Sequence, residues 1–134
     1  GLLDDFDDLT FYNANYMMGQ AEWDYWMDPN TVDTIGEERT AFAVGAARRM
    51  ERIADQVSFF NDGEEILPGV SAQMTPGHTP GHMSFEIRAG NESVMVIGDA
   101  IGNHHVAFAR PDWLSGSDQD QPMAAATRSA VSSG

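Results

Sequence analysis

The side chains best suited to bind a metal ion lie in the second half of the chain. All four histidines fall between positions 78 and 105, and the first two stand in Thr75–His82, which reads TPGHTPGH. Its two Pro-Gly pairs predict tight turns, so we expect His78 on a rigid loop. Asp99 follows 21 positions later, directly after the apolar run VMVIG. Neutral imidazole and carboxylate are both ligands of divalent metals.

A predicted β-hairpin connects these two residues. Met83–Arg88 and Ser93–Ile97 have the composition of strands, and the Ala-Gly-Asn sequence between them is typical of a turn. Such a hairpin places His78 and Asp99 at the same end of adjacent strands, and we predict that their side chains converge. Spacing alone also fits a hydrogen-bonded loop histidine and a turn-forming aspartate.

The rest of the chain predicts helices around a sheet, the α/β class. We expect the longest helix from Gly36 to Val57, with Thr34 and Glu37 at capping-box spacing. Five apolar residues recur there every three or four positions and predict a face that covers the sheet: Phe42, Ala46, Met50, Ile53 and Val57. The other expected elements are a strand in 11–18, a helix over 20–27, strands at 64–67 and 70–74, and a helix beginning at 118–122 and reaching 131.

Composition narrows the class of protein. The 134 residues are 42% apolar, enough for the core of a single domain, 1–134. The absence of cysteine excludes disulfides, thiolate metal sites and a cysteine nucleophile. Seven arginines, no lysine and a net charge of −14 exclude binding to nucleic acid phosphates or anionic membranes. Either adaptation to high salt or an arginine bias from a GC-rich genome would explain this acidity. No signal peptide is visible, so the cytoplasm is the default location.

The order of these motifs resembles a known family. TPGHTPGH, followed by a strand, a hairpin and VMVIGDA, is similar to the third and fourth motifs of the metallo-β-lactamase superfamily. Four further segments resemble its organophosphate-hydrolase-like and homoserine-lactone lactonase branch: AEWDYW, GEERTAFAVGA, GDAIGNHHVAF and SDQDQPMAAATR. The resemblance implies an αβ/βα sandwich, with helices packed on a mixed sheet. It also implies that 1–134 is the central and C-terminal portion of such a domain, because the HxHxDH motif and the final ligand histidine are missing.

The resemblance implies roles for individual residues. His78 would be a metal ligand and Asp99 would bridge two ions, zinc or another divalent metal, with a bridging hydroxide that attacks a lactone, ester or phosphotriester. His82 would orient the loop through hydrogen bonds. Trp26, His104 and Phe42 would line the pocket for a small-molecule substrate, although the helical spacing of Phe42 favours core packing.

Three alternatives remain open at this point. The chain could be a thioesterase or a di-iron redox protein of the same superfamily, or an inactive fragment with a structural or binding role. We expect the chain by itself to be incomplete and inactive. Uncovered sheet faces would also allow two copies to form a homodimer.

Overall fold

The computed structural model describes residues 1–133 and consists of two compact units, Gly1–Phe59 and a second unit that starts at Phe60. The first contains β1 (Tyr16–Gly19), α1 (Gln20–Met27), α2 (Thr31–Thr34) and α3 (Thr40–Glu51), and β2 (Val57–Phe60) pairs with β1. The second contains β3 (Glu65–Leu67), β4 (Val70–Met74), β5 (Met83–Ala89), β6 (Glu92–Val96), α4 (His104–Ala109) and α5 (Gln121–Ser132).

The predicted helix from Gly36 to Val57 is wrong at both ends. Gly36 has a φ of +98°, which a helix does not accept, and the Thr34 hydroxyl donates to the Asn30 carbonyl at 2.9 Å instead of capping a helix. α3 ends at Glu51, and Val57 opens strand β2. The spacing from Ile53 to Val57 fits a helix, but the sequence Val-Ser-Phe-Phe favours a strand.

Phe42 does not belong to the buried face of α3. Its side chain is 71% exposed, whereas Ala43, Met50 and Ile53 are buried. α3 packs mainly against α1 and α2, so the expectation that Phe42 packs in the core is wrong. The face that meets these short helices is centred on the small residue Ala43 and turns its neighbour Phe42 outward.

We therefore expect Ile53→Ala and Phe42→Ala to differ strongly in their effect on stability. Ile53 is 6% exposed, so its truncation leaves a cavity and lowers the free energy of unfolding by at least about 2 kcal/mol. Phe42→Ala removes an exposed ring and changes it by less than about 0.5 kcal/mol. Urea denaturation of both variants checks this, and equal losses would contradict the assignment of the buried face.

The second unit is built on a four-stranded antiparallel sheet in the order β3-β4-β5-β6. β5 pairs with β4 from Met74↔Met83 to Val70↔Ile87. β5 and β6 form the predicted hairpin, with bounds within one residue of those expected. Gly90 turns between them with a φ of +61°. The chain is therefore a mixture of helices and strands, as predicted. Among residues 1–133, no helix is long and apolar enough to cross a membrane.

Candidate metal centre

The loop between β4 and β5 is fixed by main-chain hydrogen bonds. The Thr75 N–H donates to the His82 carbonyl at 2.9 Å, and the Gly77 N–H donates to the Thr79 carbonyl at 3.0 Å. The Gly77 carbonyl accepts from the Asp120 N–H at 3.0 Å, next to α5. His78 is thus carried by a loop that is closed on itself and tied to the start of a helix.

Gly77 allows α5 to approach this loop. Its φ is +131°, and a Cβ added there would lie 2.3 Å from the Cα and N of Ala124. We expect Gly77→Ala to lower the free energy of unfolding by about 2–4 kcal/mol, because strain adds to a clash with backbone. Gly90→Ala is the control: it has a positive φ but open space around the new Cβ, and should cost only about 1–2 kcal/mol. Thermal unfolding measures both, and a Gly77→Ala loss no larger than that of Gly90→Ala would refute the packing argument.

His78 and Asp99 converge, as the hairpin predicts. The His78 Nε2 lies 3.7 Å from the Asp99 Oδ2. Asp99 stands in a 3-10 turn, Gly98–Ala100, which follows β6 and packs against β5 and α5. The side chain of His78 is 27% exposed and that of Asp99 is 76% exposed, so both donors can be reached from solvent.

Asp118 is a site residue that the sequence interpretation missed. Its buried carboxylate lies 3.2 Å from the His78 Nδ1. Because a carboxylate only accepts hydrogen bonds, this contact assigns the proton to Nδ1. With the proton on Nδ1, the lone pair of Nε2 points toward Asp99, which is the form of histidine that binds metals. The sequence places Asp118 at the start of a helix. In the structure that role falls to Asp120, whose Oδ1 accepts from the Met123 N–H at 3.0 Å.

Arg128 on α5 holds Asp118 in place. Its Nη1 donates to the Asp118 Oδ2 at 2.7 Å, and both side chains are buried. Its Nη2 donates to the Trp113 carbonyl at 2.7 Å, and its Nε donates to the Pro111 carbonyl at 3.4 Å. One guanidinium therefore connects the partner of His78 with the loop that follows α4.

His82 contacts the main chain of Asp99. The Asp99 N–H donates to the His82 Nε2 at 3.1 Å, and the His82 Nδ1 lies 2.9 Å from the Thr75 Oγ1. Both ring nitrogens are therefore engaged in hydrogen bonds. The orienting role expected for His82 stays a prediction.

The residues expected to line a substrate pocket lie in different units. His104 begins α4 and is exposed, with its ring centroid 3.9 Å from that of His105. Trp26 lies on α1 of the first unit, where its Nε1 donates to the Glu22 Oε1 at 2.8 Å. Its ring meets that of Tyr25 edge-on, with centroids 4.9 Å apart. Burial, together with the charge of Glu22, raises the pKa of the Tyr25 phenol. Phe42 is an exposed residue of the first unit.

The donors present fit part of a metal site. His78 offers a correctly polarised Nε2, and Asp99 offers an accessible carboxylate. Over the described residues 1–133, no group of three or more His, Cys, Asp and Glu side chains is placed to hold an ion. Zinc sites in enzymes use three protein ligands and an open position, so further donors are needed to complete one.

Comparison with known proteins agrees with the motifs. Residues 12–130 match the metallo-beta-lactamase superfamily, and the chain belongs to this superfamily. The chain is similar to the crystal structure of the hydrolase AbOPH, of the beta lactamase superfamily, with 30% sequence identity and a TM-score of 0.81. The match covers 96% of this chain and 45% of AbOPH. The structure of AidC, a dizinc quorum-quenching lactonase in complex with a product, shares 27% sequence identity with a TM-score of 0.85. The match covers 98% of this chain and 47% of AidC.

A third solved structure shares the fold only. A metal-dependent hydrolase from Staphylococcus aureus, described as probable, is 21% identical with a TM-score of 0.69, over 96% of this chain and 43% of that one. The chain thus spans less than half the length of the solved proteins it resembles. No curated protein matches it. The predicted metallo-β-lactamase fold and superfamily are confirmed; the assignment of 1–134 to one domain stays a prediction.

Proposed function

We propose that this chain supplies His78 and Asp99 to the divalent metal centre of a hydrolase that acts on lactones, esters or phosphotriesters. The observation that carries the proposal is the 3.7 Å approach of the His78 Nε2 to the Asp99 carboxylate, with the other nitrogen of His78 bonded to buried Asp118. Zinc, when bound, would lower the pKa of a coordinated water and polarise a substrate oxygen.

Each residue has a separate task in this proposal. Asp99 contributes a negative charge that would keep two cations close together and offset their repulsion. Asp118 keeps the proton on the Nδ1 of His78 and fixes the plane of the ring. Arg128 balances the buried charge of Asp118, since a buried carboxylate without a partner is costly.

The choice of reaction rests on the similar proteins and on the side chains available. AbOPH is described as a hydrolase and AidC as a dizinc lactonase. The sequence contains neither cysteine nor a G-x-S-x-G motif, so hydrolysis by an activated water is the simplest chemistry for it. We take the substrate to be a small molecule with an apolar portion, and contacts of Trp26, His104 and Phe42 with it stay predictions.

The experiment compares two proteins: the 134-residue chain, and a longer version that also supplies the HxHxDH motif and the final ligand histidine. Both are loaded with zinc and assayed with an N-acyl homoserine lactone and a phosphotriester, and their metal content is measured. We expect two zinc ions and turnover only in the longer version. Turnover of the longer version that is unchanged by His78→Ala would refute the proposal. Turnover that appears only after iron replaces zinc would refute the assignment as a zinc hydrolase.

A further inference from the structure

His82 lies in a chain of hydrogen bonds that runs from the main chain of Asp99 into the sheet. The Asp99 N–H donates to the His82 Nε2 at 3.1 Å, and the His82 Nδ1 lies 2.9 Å from the Thr75 Oγ1. The Thr75 Oγ1 lies 2.8 Å from the Ser84 Oγ, which lies 3.4 Å from the Ile97 carbonyl. Thr75 and Ser84 are both buried.

The two ends of this chain fix the direction of every bond in it. The Ile97 carbonyl only accepts, so the single proton of the Ser84 hydroxyl is used there. Thr75 must then donate to Ser84, and His82 must donate to Thr75 through an Nδ1–H. At the opposite end the Asp99 N–H only donates, so Nε2 must accept. Both ends require the same neutral tautomer of His82.

The placement of Asp99 depends on its main chain. Its side chain is 76% exposed and approaches His78 at 3.7 Å, so packing does not set its direction. Gly98, the preceding residue, has a φ of +50°, and an added Cβ would lie 3.1 Å from the His82 Nε2. The turn therefore passes directly over the edge of the imidazole ring.

We propose that His82 is a positioning residue for Asp99. Held as the Nδ1–H tautomer by the Thr75 and Ser84 hydroxyls, its ring fastens the Asp99 peptide and keeps that carboxylate facing His78. The benefit of this positioning to a metal centre rests on the proposed function. The tautomer of His82 and the hydrogen bond of the Asp99 amide do not depend on that function.

The first test needs no variant. Two-dimensional NMR of the 15N-labelled chain distinguishes the two neutral histidine tautomers through the couplings of the ring nitrogens. We expect His82 to show a protonated Nδ1 and an unprotonated Nε2 at neutral pH. An Nε2–H ring, or a mixture of tautomers in exchange, would overturn the proposal.

The second test uses matched variants to separate the two hydrogen bonds that the His82 ring makes through Nδ1 and Nε2. His82→Gln places an amide oxygen near the position of Nε2 and can still accept from Asp99. His82→Asn places a donor near the position of Nδ1 but lacks that acceptor. We expect exchange of the Asp99 amide to accelerate by about tenfold in His82→Asn relative to His82→Gln, the worth of one hydrogen bond.

An internal reference guards against general loss of stability. The Ala72 amide donates to the Glu64 carbonyl at 2.8 Å within the sheet, and its exchange should be the same in both variants. If exchange of the Asp99 amide, measured relative to exchange of the Ala72 amide, accelerates equally in both variants, the positioning role is overturned.

Zinc affinity tests whether the positioning of Asp99 by His82 matters to the proposed metal centre. In the longer version of the domain, His82→Asn should weaken zinc affinity by roughly 10- to 100-fold, and His82→Gln should recover most of it. Equal affinities in both variants would refute the role toward the metal. If the unaltered longer domain binds no zinc, the proposed function fails, while the tautomer and amide exchange still decide whether His82 positions Asp99.

Discussion

Replacing Asp99 with alanine in the zinc-loaded longer domain is expected to lower kcat/KM by at least about 100-fold, since the metal centre supplies several kcal/mol of transition-state stabilisation. In the proposed metal centre Asp99 is a donor beside His78, whose Nε2 lies 3.7 Å from its carboxylate. Its loss removes a carboxylate that both ions are expected to share, so the cations repel each other without compensation. Zinc content should fall together with activity.

Asp112→Ala is the matched control for this substitution. Asp112 is also an exposed aspartate of the second unit, and it pairs with Arg110 at 3.1 Å. The Arg110 hydrogen bond lowers the pKa of the Asp112 carboxyl, so the residue carries the same charge as an ionised Asp99. We expect its removal to leave kcat/KM and zinc content unchanged. Equal losses in both variants would indicate an effect of net charge, and an active Asp99→Ala domain would exclude the bridging role.

The second large effect is expected at Arg128. Arg128→Met keeps an unbranched, apolar stem but removes the guanidinium, and it leaves the Asp118 carboxylate buried without its cation. Breaking a buried ion pair on one side costs about 3–5 kcal/mol, and the carbonyls of Trp113 and Pro111 also lose their donor. We expect this loss in the free energy of unfolding from urea titration of the 134-residue chain.

Arg88→Met provides the comparison for Arg128. Arg88 is mostly exposed and pairs with Glu86 at 2.6 Å on the surface of the sheet, where ion pairs contribute little. Its removal should hardly move the urea midpoint. If both arginine variants unfold at the same midpoint, the buried pair does not stabilise this unit as described.

Local patterns predicted the features that depend on neighbouring residues in sequence. The helix over 20–27 has the expected bounds, because Asp28-Pro29 ends it and the residues before it are extended. The hairpin of β5 and β6 was found because alternation and a glycine turn are both local. Convergence of His78 and Asp99 followed from that hairpin, since the start of β5 and the end of β6 lie at the same edge of this antiparallel pair.

The missed features depend on contacts between distant residues. Asp118 lies 40 positions from His78. The two come together because α5 packs against Gly77 and the Asp120 N–H bonds to the Gly77 carbonyl. The bond between Arg128 and Asp118 cannot be derived from a helical period, because one of the two residues precedes the helix. The predicted helix is longer than α3 because Ile53 follows Met50 by three positions, a spacing that fits a helix continuing beyond Glu51.

Zinc titration of the 15N-labelled 134-residue chain, followed through the side-chain resonances of all four histidines, tests the metal site most directly. We expect weak binding, with the largest shift at the Nε2 of His78, a matching change at Asp99 and loss of both in His78→Ala. Exposed His104 and His105 serve as internal competitors for the ion. Shifts confined to these two, with His78 unchanged, would contradict the proposed metal site, and so would tight binding of two zinc ions by this chain alone.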